Sequence, residues 1–431
     1  MRIFGRRPWI RWGAAFCLAL TSTSHGSGGR IPIYQSDGPL TITNAGSYYL
    51  AHNLTSYWEP STPAITIMAN DVVLDLNGNR LKARDYEYAI FQPSDYANLT
   101  VKNGRVESRL GAYGSFSRLE DLTISIPDAT LTAVNVGPDS VLTRCMFADN
   151  TVASILTGVI LMAGAGTLVR DCEFYNSAAD NRLEVISADD GVILQRCAVA
   201  GGTAPTEATG ILAGDGALLN GVTVREVKTG TASSEHAVQL GAGALLTGCV
   251  LDGNVTAGAD SLAAGCRFGN WNTVNVNSYQ AQFGDGSLLA DNVFSGQVLG
   301  VDAVYIHSGS LAVGNRFDQN DLHADNGSLI AQNWANEPVH VTMDCYIFDN
   351  YLGRGIEDLA GWHRIEGNHL DGTNVCINSF GANNLIVRNY CAEDEDHVIS
   401  GGANDHIAAS IIPAAATFGT NRPWGNIVRL E

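Results

Sequence analysis

Lysine is almost absent from this chain. Lys82, Lys102 and Lys228 are the only three in 431 residues, charged residues of every kind make up 16%, and the formal net charge is −19. So acidic a chain repels nucleic acid and anionic lipid, which argues against both as partners. It repels a polyuronate too, unless a cation such as Ca2+ bridges the two. Long apolar runs are also missing. The run Gly13–Leu20 is too short to cross a bilayer as a helix, and no later segment reaches membrane-spanning length, so no membrane span is expected. No stretch keeps a helical period of apolar residues. No Cys-x-x-Cys pair occurs, which removes the close spacing of a zinc site.

What the chain does contain is small and apolar. Apolar residues are 45% and glycine numbers 47. Short runs rich in Val and Thr between Gly, Asn and Asp favour many brief strands joined by tight turns. At the start, Arg6-Arg7-Pro8-Trp9-Ile10-Arg11 precedes the apolar run, and Thr21-Ser22-Thr23-Ser24 follows it. That order reads as a signal peptide over 1–24 and places the protein outside the cytoplasm: secreted, periplasmic or at the cell surface. Its paired arginines resemble a twin-arginine leader. Without Arg2, Arg6, Arg7 and Arg11 the charge moves from −19 to −23.

A short motif recurs along the rest. An apolar residue is followed three positions later by Cys or Asn, and two positions after that by another apolar residue. Leu142–Cys145–Phe147, Val169–Cys172–Phe174, Leu194–Cys197–Val199 and Leu246–Cys249–Leu251 show it, as do Leu289–Asn292–Phe294, Ile365–Asn368–Leu370 and Ile386–Asn389–Cys391. The spacing, about two dozen residues, is that of a solenoid coil. Counting Cys345 in this slot leaves an interval after Asn333 that is too short for a coil. Six of the eight cysteines after the leader then share one slot. This predicts an internal stack of thiols rather than a disulfide framework. Asn suits the slot because it tolerates left-handed geometry and its amide can bond a stacked neighbour.

Each coil reads as three short strands. Ala133–Val136, Gly210–Ala213, Ala237–Leu240 and Ala303–Ile306 belong to the first. Turns such as Ala188-Asp189-Asp190-Gly191 follow it. The layout resembles the right-handed parallel β-helix of the pectate-lyase superfamily, and Asn70–Asn79 looks like the opening coil of its secreted bacterial members. Arg364–Asn368, Asn384–Asn389 and Pro423–Asn426 resemble secreted bacterial β-helix repeat proteins, many without an assigned activity. The expected architecture is therefore all-β: a single-stranded solenoid with three short strands per coil. An N-terminal segment and cap over 25–64 would precede a β-helix over 65–402, and a C-terminal cap over 403–431 would close it.

The resemblance implies a site on one outer sheet flanked by long turns. Its best-known catalytic signatures, Asn-Thr-Asp, Gly-His-Gly, Asp-Pro-His-Glu and Trp-Ile-Asp-His, are absent. Asp189-Asp190 fits a plain turn. The long coils ending at Cys172 and Cys249 should spill into loops holding Asp180, Arg182, Glu207, Glu226, Lys228, Glu235 and His236. A lyase needs a base and a neutralising charge, which Lys228, Glu235 and His236 offer as catalytic candidates, with Ca2+ as the conceivable cofactor. Gln239, Tyr305, His307, His323 and Glu357 fall at outward positions of the first strands, where they could line a sugar groove; Ile160 and Leu212 are the equivalents in other coils. Glu393–His397 reads as a solvated charge run. Two functions stay open. One is an exported polysaccharide lyase or glycoside hydrolase. The other is a non-catalytic protein that binds a polysaccharide or cell-surface glycan.

Overall fold

A computed structural model describes residues 29–429 apart from 35–38, 57–61, 84–86, 128, 130–131, 154–156, 230–234, 270–280, 296–303, 359, 372–375, 393–398, 401–403, 408–409 and 412–425. The leader, the acidic run at 393–397 and the 423–425 segment fall outside these. Every described element is a strand, and every strand pairing is parallel. The chain is a parallel β-helix. First strands form one sheet from Leu40–Ile42 to Ile399–Ser400, with register shifts at Arg109/Leu110 and His236/Val238. Second and third strands merge into a 36-stranded sheet. The parallel stack begins ahead of residue 65, because Leu40–Ile42 pairs with Ile65–Ile67.

Two corners per coil explain the sequence pattern. One residue at each corner adopts positive φ. Before the second strand these are, among others, Asp71, Asp139, Gly166, Gly216, Asp260 and Gly309. Before the third strand they include Arg144, Asp171, Arg196, Gly248, Gly265, Asp291 and Asp349. Glycine meets this demand at no steric cost, and Asp or Asn tolerates it. The next residue turns its side chain inward. The left-handed residue is thus the one before the Cys/Asn slot, and slot residues such as Asn292, Asn315 and Asn333 have ordinary negative φ.

The slot itself is a hydrogen-bonded ladder. Asn292 N and Nδ2 donate to Asn315 Oδ1 at 3.0 Å, and the bonding repeats through Asn333, Asn350, Asn368 and Asn389. Each amide also donates backwards to a strand carbonyl, as Asn350 Nδ2 does to Ile330 O at 2.9 Å. Cysteine does the same more weakly. Cys145 N donates to Cys172 Sγ and Cys249 N to Cys266 Sγ, both at 3.4 Å. The eight described cysteines are buried and none forms a disulfide. Five of them occupy this ladder, not six. Asn350 holds the rung assigned to Cys345, which removes the anomalous interval. Cys345 stands instead at the other corner, where its N–H donates to His363 Nδ1 at 3.0 Å. That corner has its own ladder. Ser117 N donates to Ser140 Oγ, Ser287 N to Ser310 Oγ, His363 N to Asn384 Oδ1 and Asn384 N to Asp405 Oδ1.

Inside, Phe147 stacks on Phe174 at 4.4 Å, and Phe268, Phe294 and Phe317 stack at 4.7 and 4.9 Å. In the long middle coils, two successive first-strand residues are buried: Ile160 with Leu161, Val185 with Ile186, Ala237 with Val238. The expectation that Ile160 faces outward is therefore wrong. Met162, 39% exposed, takes that position. The extra residues of these coils also lengthen strands rather than loops: Arg182, Glu207 and His236 belong to Arg182–Ala188, Glu207–Ala213 and Glu235–Leu240.

Because Asn350 satisfies donors on one side and acceptors on the other, Asn350→Ala should cost about 3 kcal/mol or more. Cys376→Ala, which trims a buried thiol outside the ladder, should cost about 1–2 kcal/mol. Urea midpoints of the two variants check the order.

Candidate functional site

The outward residues of the first sheet stack in one column, one per coil, about 4.8 Å apart. In the first half the column reads Asn135, Met162, Ser187 and Leu212. From the next coil it changes character: Gln239, Thr256, Gln282, Tyr305, His323, His340, Glu357, Asn378. The structure thus aligns Gln239, Tyr305, His323 and Glu357 as the alternating pattern predicts. His307 lies two residues beyond Tyr305, on the adjoining turn.

These side chains engage one another. The Tyr305 hydroxyl donates to Asp325 Oδ2 at 2.6 Å. Gln282 Nε2 lies 2.9 Å from His307 Nε2 and donates to it, which leaves the ring proton on Nδ1, 3.4 Å from the same Asp325 oxygen. The Tyr305 ring meets His307 edge-on at 4.7 Å and leans on His323 at 5.0 Å, and His323 stacks on His340 at 5.9 Å. His340 in turn places Nδ1 3.1 Å from Glu357 Oε2 and Nε2 3.7 Å from Asp321 Oδ2. Sequence reasoning missed Gln282, Asp321, Asp325 and His340. Val339-His340-Val341 repeats the form of Leu322-His323-Ala324 and could have been found by it.

The three catalytic candidates sit elsewhere. Lys228 is exposed in Lys228–Thr229, a strand of the other sheet that pairs with Thr203 and Ala204. Glu235 opens the strand Glu235–Leu240, and its side chain lies outside the described residues. His236 is half-buried. It pairs with Thr209, which pairs with Glu184, and on the other side with Asn254. Burial pushes its pKa down; the nearby Glu207 opposes this and Arg182 adds to it. Arg182 bridges Glu207 at 2.9 Å and Glu184 at 3.4 Å. Four buried polar atoms here have no hydrogen-bond partner: Arg182 Nε, Thr209 Oγ1, His236 Nδ1 and Asn254 Oδ1. Of the two candidates whose side chains are described, His236 is the one brought beside ionisable partners on the first sheet.

A second stripe crosses the other sheet: Arg316 over Trp334, then Trp334, Tyr351, His369 and Tyr390 in succession. These rings stack on each other with interplanar angles of 8°, 17° and 32°. Asp190 plays the turn role expected of it, accepting from Asp215 N at 2.9 Å. Among the described residues, no group of three or more His, Cys, Asp or Glu side chains is placed to hold a metal ion, and no helix is long and apolar enough to cross a membrane.

No protein-family model matches the chain. No curated protein matches it either. Similar solved structures include two β-helix proteins. One is a double mutant of the tailspike protein of E. coli bacteriophage HK620, with 12% identity and a TM-score of 0.26, covering 94% of this chain and 72% of that one. The other is the A-module of the Azotobacter vinelandii mannuronan C-5 epimerase AlgE6, with 12% identity and a TM-score of 0.22, covering 88% and 91%. Neither likeness reaches individual side chains, so the site rests on this chain's own residues.

Two outcomes are expected around His236. Thr209→Val keeps the shape and removes an unbonded hydroxyl, so it should leave stability unchanged or raise it by up to about 1 kcal/mol. A loss above that in thermal melts would show that the hydroxyl has a partner. A histidine with a depressed pKa binds fewer protons folded than unfolded, so stability is retained above its ordinary value of about 6.5 and falls as pH drops below it. Between pH 7 and 5 the wild type should therefore lose more stability than His236→Gln, as read from paired melts.

Proposed function

We propose that this protein binds an extended glycan along the outer column of its first sheet, from Gln239 to Glu357. One observation carries the reading: the column is polar, aromatic and hydrogen-bonded in the C-terminal half, whereas its N-terminal half carries Met162 and Leu212. A regular ladder of amide, phenol, imidazole and carboxylate groups offers a polymer repeated donors and acceptors, and a rigid sheet holds them in place. A secreted, periplasmic or surface-exposed role accords with the leader-like start of the chain.

Catalysis is the second reading. Tyr305, Asp325 and His307 form a relay able to accept and return a proton, the minimum for acid–base work on a sugar. By contrast, Asp321 and Glu357 have the His340 ring between them, so they do not flank an open space as a hydrolase carboxylate pair must. His236, held neutral by burial beside Glu207, is the other general-base candidate; Lys228 and Glu235 would have to reach it from outside the column.

Affinity electrophoresis and calorimetry against neutral and charged polysaccharides test the binding reading. Tyr305→Ala and His323→Ala should each weaken binding by about tenfold or more, near 1.4 kcal/mol, while Met162→Ala should leave it within about twofold. Equal effects of all three would remove the column as the site. Assays for reducing ends and for unsaturated products, with and without Ca2+, separate the two readings. Turnover abolished by Asp325→Asn or His236→Ala would make the protein an enzyme, and binding without turnover would make it a lectin-like scaffold.

A further inference from the structure

The column combines its sugar-type contacts with a pronounced charge imbalance. Between 254 and 400 the sequence holds only five cationic side chains: Arg267, Arg316, Arg354, Arg364 and Arg388. Four belong to the second and third strands or their corners. There Arg316 bonds Asp318 at 2.6 Å, and Arg364 and Arg388 both bond Glu366 at 2.6 Å. Arg354, on the turn before the strand Ile356–Asp358, is held by Glu337 at 2.7 Å. No first strand after Arg182–Ala188 contains Lys or Arg.

The first-sheet face keeps its acids without such partners. Asp321, Asp325 and Glu357 meet only imidazole, phenol or amide groups in the contacts described above, and their side chains remain 29%, 22% and 43% exposed. Three carboxylates, two in the His323 coil and one two coils further on, stand without a Lys or Arg partner in the contacts described. A ligand carrying carboxylates would be repelled along this whole length. One carrying ammonium groups would gain charge-assisted hydrogen bonds to the acids of the His323 coil and, two coils or about 10 Å further on, to Glu357.

Resting on the glycan reading above, we propose that the ligand is a polysaccharide with free amino groups, a polymer of amino sugars, and not a polyuronate. Tyr305 and His323 supply the contact surface in this arrangement, while Asp321, Asp325 and Glu357 supply the charge complement.

The test uses the full-length protein and three soluble probes of equal length: glucosamine oligomers, the same oligomers fully N-acetylated, and oligogalacturonate with and without Ca2+. The glucosamine oligomers should bind about tenfold or more tightly than their acetylated form, and rising salt should narrow the gap. Asp325→Asn/Glu357→Gln should abolish the preference. Asp291→Asn/Asp349→Asn, which removes the same charge from the corners of the other sheet, should keep it; loss of preference in that control as well would mean general attraction to an acidic protein and overturn the proposal. Equal or tighter binding of the acetylated oligomers, or of oligogalacturonate without Ca2+, would overturn the amine class and leave the glycan reading standing. If none of the probes binds, the amine class falls, and failure across the neutral polysaccharides as well removes the glycan reading with it.

Discussion

At many of the corners a backbone N–H points along the solenoid axis and needs an acceptor, which a side chain of the next coil supplies. Cys172 Sγ, Asn315 Oδ1, Ser140 Oγ, His363 Nδ1 and Asp405 Oδ1 all answer that single requirement. A buried amide left unbonded costs more than the bond itself contributes, so the corners, more than the apolar interior, set the register between coils. The alternating outward column inherits that register, since a slip of one residue would turn every outward side chain inward.

The repeat was readable in the sequence because this requirement restricts one position to a few residue types. The same restriction caused the error over Cys345. Thiol, hydroxyl and amide serve at both corners, so residue type alone does not reveal which corner a cysteine occupies. Left-handed geometry was assigned one residue too late for a related reason. Gly, Asp and Arg fill the corner interchangeably and form no visible pattern, whereas the inward residue after them does. Ile160 was misread because two consecutive inward residues in the long strands shift the alternation locally, and no spacing rule marks where that happens. Tyr305, His323 and Glu357 were legible since their coils are short and strictly alternating; Asp325 and Asp321 lie just beyond the alternation, at strand ends, and escaped it.

Charge is distributed as unevenly as hydrogen bonding is even. On the second and third strands acids and arginines alternate between coils, as in Asp121 with Arg144 and Asp171 with Arg196, each pair doubly bonded. The neighbouring arginine holds each of these carboxyls below the usual range. These are exposed pairs of small individual worth, and they serve to keep the sheet neutral. On the first sheet, the described strands from Glu207 onward carry no Lys or Arg to make such pairs. A surface that alternates charge on one side and accumulates it on the other has a preferred side for an ionic partner.

The corner ladders also have a direction in time. Each donor is met by a residue some 17 to 27 positions later in the chain, as Asn333 is by Asn350 and Cys145 by Cys172. In a chain that folds from its N-terminus, a coil ending in such a donor keeps an unanswered N–H until the following coil joins it. At these corners each coil is sealed by its successor. Asp405, a carboxylate that needs no donor of its own, is well chosen as the last acceptor described at its corner.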